Sequence, residues 1–217
     1  MIQYNSINSF KEIHYNGQDI KVAYDHQGKV WEKETSFAGK WLAKYSDGTT
    51  SSAECDSTSA ITEDEINMIN LLEVEIGSCV QTIDNYAFLS GTSLSSVTIQ
   101  DSVTTISGGS FEDCYSLSTV EIPDSVTRIG DRAFHNCSGL TTVTIGSGIT
   151  KIMDFAFEDC TSLQSITINA ATPPVLGSNG VFYDTNDCPI YVPAASVETY
   201  KTNWYWATYA SRILAIP

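Results

Sequence analysis

At 217 residues and 42% apolar, the chain is long enough to bury a core and too apolar to be disordered. Its net charge of −15 is uneven: residues 1–45 carry six lysines against five acids, and residues 46–217 carry five basic residues against 21 acids. That surface excludes nucleic acid, which demands Lys and Arg, and disfavours anionic membranes, while no apolar run approaches the roughly 20 residues a membrane helix needs.

The start, MIQYNSINSF, is polar and lacks the basic and apolar regions of a signal peptide, so simple secretion from this start is not expected. K-E-I-H-Y-N-G-Q-D-I-K-V-A-Y places an Asn16-Gly17 turn between two strand-like runs. H-Q-G-K-V-W-E-K offers a second turn near Gly28, and K-W-L-A-K-Y-S-D-G-T-T-S-S-A a hairpin at Asp47-Gly48. Residues 1–57 therefore read as a small antiparallel β module of about five short strands. Thr62-Glu63-Asp64-Glu65 has the capping-box pattern, which predicts a short helix to about Asn70 and makes 58–71 an N-terminal cap.

From residue 72 to 168 a strict period takes over. Phe88, Phe111, Phe134 and Phe157 recur every 23 residues, and so do Leu94, Leu117, Leu140 and Leu163. The same step links Val74, Val97, Val120, Val143 and Ile166, and again Ile76, Ile99, Ile122, Ile145 and Ile168. Val80 and Ile83 begin two further columns in phase with these. A period of this length with an L-x-x-L-x-L-like core predicts a leucine-rich-repeat solenoid. In L-S-S-V-T-I, Val97 and Ile99 alternate with Ser96 and Thr98, so one strand face is buried. Copies should stack in parallel about 4.8 Å apart, each too small to stand without its neighbours. V-T-T-I reads as a second short strand or corner, and G-D-R-A-F-H-N-C as a compact turn or single helical turn.

After Leu163 the Phe and Cys positions are lost, Pro173-Pro174 stops the pattern, and 177–187 reads as a loop. P-I-Y-V-P is strand-like, and Ser196 can cap a helix running through Lys201. Trp204, Tyr205, Trp206 and Tyr209 are expected to pack over the last coil, so residues 169–217 form a C-terminal cap.

The copies V-E-I-P-D-S-V-T-R-I-G-D-R-A-F-H-N-C-S-G-L and V-T-I-G-S-G-I-T-K-I-M-D-F-A-F-E-D-C-T-S-L resemble BspA-like leucine-rich repeats. The tail A-T-P-P-V-L-G, C-P-I-Y-V-P-A-A-S-V-E-T-Y-K and W-A-T-Y-A-S-R-I-L-A-I is similar to that family's C-terminal cap, so the likeness covers residues 72–217. It implies cell-surface adhesion, as in gut and oral bacteria. The Y-N-G-x-x-I-K module resembles those that precede such repeats, and also modules in proteins of phages of gut bacteria. The expected fold is thus mainly β with short helices: a solenoid of 23-residue repeats and parallel strands behind a small antiparallel module.

The chemistry that the side chains invite is weighed against this period. Cys114, Cys137 and Cys160 occupy one column, so the outer two should lie about 10 Å apart, too far to share one zinc with bonds of about 2.3 Å. They are expected as buried thiols, while the pairing of Cys55, Cys79 and Cys188 is left open. His135 shares a variable column with Leu89, Glu112 and Glu158 and is expected at the surface. Glu112-Asp113 and Glu158-Asp159 read as a solvated edge, with weak cation binding as the alternative. No catalytic residue, metal ligand or cofactor site is assigned, and no nucleotide-binding, zinc-protease, hydrolase or EF-hand motif occurs.

What remains is surface. The outward strand positions Glu73, Ser96, Thr119, Thr142 and Ser165, beside Glu75, Thr98, Glu121, Thr144 and Thr167, form two polar columns. They are the candidate binding face for a protein or glycan, with monovalent binding that is weak and becomes useful through multivalent display. The function expected is a non-enzymatic interaction or adhesion module, extracellular or on the cell surface, docked to another protein through residues 1–57. The alternative is a structural component of a phage virion, such as a head or tail decoration or a fibre-associated protein.

Overall fold

The computed structural model describes residues 9–15, 18–24, 30–31, 39–55, 60–62 and 65–217. Strands β1 (Ser9–Tyr15) and β2 (Gln18–Tyr24) pair antiparallel with Tyr15 opposite Gln18, and β2 pairs with β3 (Val30–Trp31). The turns predicted at Asn16-Gly17 and near Gly28 lie outside the described residues. Strands β4 (Trp41–Tyr45) and β5 (Thr50–Ala53) form the hairpin expected at Asp47-Gly48. Gly48 takes φ +82°, and Asp47 Oδ1 accepts from Thr49 N at 2.9 Å and Thr49 Oγ1 at 2.6 Å, an Asx-type closure.

Among the described residues that hairpin does not pair with β1–β3. After β6 (Ala60–Ile61) the chain enters β7 (Leu71–Ile76), the first long strand of the solenoid, and β4 pairs antiparallel with it, Trp41 opposite Ile76 and Ala43 opposite Val74. The five-strand module expected over residues 1–57 is therefore divided. The physical reason is the exposed end of a solenoid: without β4, the edge of β7 and the apolar side of the first coil would face water. Trp41 and Ala43 are buried there.

The short helix expected up to Asn70 is absent from residues 65–70, which form bends and turns. Glu65 serves other donors: its Oε1 accepts from the buried Lys40 Nζ at 2.8 Å and its Oε2 from Trp41 Nε1 at 3.2 Å. An ammonium taken out of water requires such a partner. Cys55 and Cys79 form a disulfide, Cα atoms 6.0 Å apart, which ties this cap to the first coil. Gly77 is fixed by close approach, since a Cβ there would sit 1.6 Å from the Gly39 carbonyl oxygen.

Beyond the cap, long and short strands alternate: β8 (Thr82–Ile83), β9 (Ser96–Ile99), β10 (Thr105–Ile106), β11 (Thr119–Ile122), β12 (Arg128–Ile129) and β13 (Thr142–Ile145). The series continues through β14 (Lys151–Ile152), β15 (Ser165–Ile168), β16 (Val175–Leu176), β17 (Ile190–Val192) and β18 (Ile213–Ala215). The short strands β6, β8, β10, β12, β14 and β16 form one parallel sheet. The long strands form the other wall in two ladders, β5-β4-β7-β9 and β11-β13-β15-β17-β18. Between β9 and β11 the ladder is interrupted, and Ser118 N reaches Ser95 O only at 3.5 Å. Val97 and Ile99, at 9% exposure, are accordingly the least covered members of their columns.

Between the walls the Ala-Phe segments, Ser-Phe in the second copy, are turns, at 85–90, 108–113, 131–136 and 154–159. Each contains two left-handed residues in phase: Tyr86, Gly109, Arg132 and Phe155, then Ser90, Asp113, Asn136 and Asp159. Ser, Asn and Asp suit such turns because their side chains bond locally; Tyr, Arg and Phe do not, so packing between coils holds them there. Phe88, Phe111, Phe134 and Phe157 stack inside at 4.9, 5.0 and 5.2 Å between centroids. Hydroxyls add two ladders along the axis. Ser95 and Thr141 donate to Leu72 O and Ser118 O, and Thr104, Thr127 and Thr150 to Gln81 O, Thr104 O and Thr127 O, at 2.9–3.2 Å.

The C-terminal segment corrects the expectation that the pattern stops. Phe182 takes the next place in the aromatic stack, 5.7 Å from Phe157, and buried Thr185 and Cys188 follow it as Cys160 and Leu163 follow Phe157. The uneven step hid it: one extra residue enters at the Pro173-Pro174 corner, so that β16 pairs with β14 and β17 with β15 at a step of 24, whereas Phe182 stands 25 residues after Phe157. Helix α1 (Val197–Thr202) forms, but Ser196 makes no side-chain cap bond. Tyr200, Trp206 and Tyr209 are buried as a lid, with Trp206 5.9 Å from Phe182. Trp204 is not part of it; it is 76% exposed and leans on Tyr205.

Candidate functional site

Parallel stacking at a fixed register sorts side chains into columns, and the ten predicted face residues fall into two. Glu73 lies beside Ser96, and Thr119, Thr142 and Ser165 are in register; Glu75 lies beside Thr98, and Glu121, Thr144 and Thr167 are in register. The ladder gap between β9 and β11 separates the two groups. Glu73, Ser96, Thr98, Thr119, Glu121 and Thr142 are exposed, while Glu75, Thr144, Ser165 and Thr167 are half-buried by their neighbours.

The face is longer than the repeat columns predict. At its start Lys44 pairs with Glu73 at 2.9 Å, both about half exposed. At its far end Tyr191 follows Thr167, and Leu214, 46% exposed, follows Tyr191. An acidic, hydroxyl-rich strip therefore ends in Tyr191, an aromatic of the kind enriched at interfaces, and then in the apolar Leu214. The signal that could have found them was the inward–outward alternation of C-P-I-Y-V-P and R-I-L-A-I, phased on Ile190 and Ile213. A separate groove of about 740 Å³ at this end is bordered by Tyr183, Asp184, Asp187, Tyr209 and Arg212.

The thiol column is internal. Cys114, Cys137 and Cys160 donate through Sγ to Phe88 O, Phe111 O and Phe134 O at 3.3, 3.1 and 3.2 Å. Burial pushes the Cys114 and Cys160 thiols up to about 12, and Cys137 well up too. Such thiols are neutral hydrophobes with a weak donor, not nucleophiles.

His135 is where column reasoning stopped short. The column L-E-H-E at 89, 112, 135 and 158 places a carboxylate on either side of the imidazole. Nδ1 lies 3.3 Å from Glu112 Oε1, and Nε2 lies 3.3 Å from Glu158 Oε2 and 3.6 Å from Asp159 Oδ2. The imidazole is 17% exposed, shielded between three consecutive coils rather than standing free in solvent.

A family model described as the BspA type leucine rich repeat region matches residues 59–188 in six copies. The fold is similar to that of a T. pallidum leucine-rich repeat protein, with TM-score 0.58 and 24% identity over 64% of this chain and 65% of that one. A leucine-rich repeat protein from Bacteroides ovatus ATCC 8483 aligns with TM-score 0.46 and 19% identity over 88% of this chain and 55% of that one. A leucine rich cell surface protein from Faecalibacterium prausnitzii A2-165 aligns with TM-score 0.38 and 22% identity over 74% and 40%. The chain spans less than two thirds of the length of each, and at these identities the likeness is one of fold. No curated protein matches. Among the described residues no helix is long and apolar enough to cross a membrane.

Proposed function

The chain belongs to the BspA-type leucine-rich-repeat family, and from that premise we propose that it is a non-enzymatic interaction module that binds a protein or glycan along its long-strand face. The observation that carries this is the separation of roles within each long strand. In β9 and β11 every second residue is buried and the intervening Ser96, Thr98, Thr119 and Glu121 are exposed. Those outward positions are free of any duty in the core, and a solenoid presents them as one extended surface.

The strip has hydroxyl and carboxylate groups and few large anchors, so a single copy binds weakly and display in many copies supplies avidity. Glu73, Glu75 and Glu121 favour cationic or hydroxyl-rich ligands. Surface display fits the Cys55–Cys79 disulfide, since such bonds persist in oxidising compartments. The β1–β3 unit, upstream of the cap, is the part of the chain proposed to dock to another protein. The test is to display the chain on beads and screen it against arrays of purified glycans and extracellular proteins. Binding on beads with little binding of the free chain supports this function; absence of binding in both formats contradicts it.

A further inference from the structure

We propose that His135, Glu158 and Asp159 form a zinc-binding site on the turn ridge of the solenoid, with Glu112 orienting the imidazole. The three side chains offer one nitrogen and two carboxylate oxygens, all within 4.8 Å of one another. Zinc bonds of about 2.1 Å opened to the tetrahedral angle place ligand atoms about 3.4 Å apart. The 3.3 Å and 3.6 Å separations of His135 Nε2 from Glu158 Oε2 and Asp159 Oδ2 match that edge.

The other side of the ring supports the same assignment. His135 Nδ1 is buried and lacks an aligned hydrogen-bond partner, although Glu112 Oε1 stands only 3.3 Å away. A small rotation completes an Nδ1–H to carboxylate bond, which keeps the proton on Nδ1 and turns the Nε2 lone pair toward Glu158 and Asp159. That carboxylate–histidine arrangement is how proteins fix the tautomer of a metal-ligating imidazole. With the proton held on Nδ1, the Nε2 lone pair faces two carboxylates, and a cation seated among the three is what favours that tautomer.

The donor set selects the metal. Calcium and magnesium favour all-oxygen shells, whereas one imidazole and two carboxylates suit zinc and neutralise its charge. Left-handed Asp159 contributes its side chain from the turn that presents Glu158, so β-solenoid stacking brings ligands from successive coils to one ion. Three protein atoms leave a fourth position for water.

The test uses the full, untagged chain, with zinc titrated by calorimetry and cobalt(II) as a spectroscopic substitute. The expected result is one saturable site and tetrahedral cobalt absorption, with an upward shift of the melting temperature as zinc occupies the folded state. His135→Ala and the double variant Glu158→Gln/Asp159→Asn should abolish both signals. Glu112→Gln should weaken binding by about 10–100-fold, as loss of an orienting carboxylate does. His14→Ala/His26→Ala should leave the site intact. Absence of saturable binding, or binding that survives His135→Ala, overturns the proposal; circular dichroism of each variant separates loss of the site from loss of the fold.

Discussion

Phe182 stacks on Phe157 with ring centroids 5.7 Å apart, although two more residues separate them than separate any earlier pair in the column. The aromatic stack, not the sequence period, marks where the solenoid ends, and it ends on Trp206. Phe182→Ala should therefore cost about 3–5 kcal/mol, the same range as Phe134→Ala, because both remove a fully buried ring. Urea unfolding of the two variants checks this. A loss below about 1 kcal/mol for Phe182→Ala would place residue 182 in a surface loop, where truncation costs little.

The buried thiols make a pH prediction. Burial raises the folded-state values of Cys114 and Cys160 to about 12 and that of Cys137 as well. Their unfolded values lie near 8.5. Between these limits the folded state holds more protons than the unfolded one, so stability is intact below about pH 8.5 and falls as pH rises toward 12. Each thiol contributes a slope of up to about 1.4 kcal/mol per pH unit in that window. Melting curves from pH 7 to 11 should show the decline, and Cys137→Ala should make it shallower. At pH 7.5 the folded protein should resist alkylation at all three positions and take up label on denaturation.

Deletion separates the two halves of the N-terminal region. Removing residues 1–38 leaves β4, Lys40 and Cys55 in place, so the solenoid should keep its cooperative melting transition. Removing residues 1–57 strips the strand paired with β7 and breaks the Cys55–Cys79 bond, which alone is worth about 3 kcal/mol for a loop of this size. That longer deletion should be far less stable or insoluble. Equal stability of the two would contradict the role of β4 and β5 as a cap.

The ladder gap between β9 and β11 predicts uneven protection. Amides on the facing edges of these strands lack the inter-strand bonds that β13 makes on both sides. Hydrogen exchange at 96–99 and 119–122 should therefore be faster than at 142–145. Uniform protection across the wall would show the ladder closed in solution.

The periodic part of the fold was legible because each coil repeats the same balance of forces. Val97, Phe111 and Leu140 each have a counterpart one coil away, so a single rule covers them. The ends were legible only in part, in the Asp47-Gly48 hairpin and in buried Trp206 and Tyr209, because capping replaces a repeat by something unlike it. Trp41 and Ala43 cover the first coil from a strand of opposite direction, and Glu65 is committed to Lys40 rather than to a helix. The last coil was hidden by an uneven step, 24 residues at its strands and 25 at Phe182. His135 illustrates a subtler limit: its column is variable in residue type, yet stacking at about 5 Å makes unlike neighbours partners.

The most direct test of the binding face compares two charge changes on opposite walls. Thr98→Arg/Glu121→Arg/Thr144→Arg alters the long-strand face, and Lys151→Glu alters the outer face of the short-strand sheet. Displayed on beads against a ligand identified from the arrays, the face variant should lose at least about tenfold in apparent affinity, the size of a 1.4 kcal/mol loss. Lys151→Glu should bind like the unaltered chain. Retained binding by the triple face variant, with its melting temperature unchanged, would contradict recognition through the long strands.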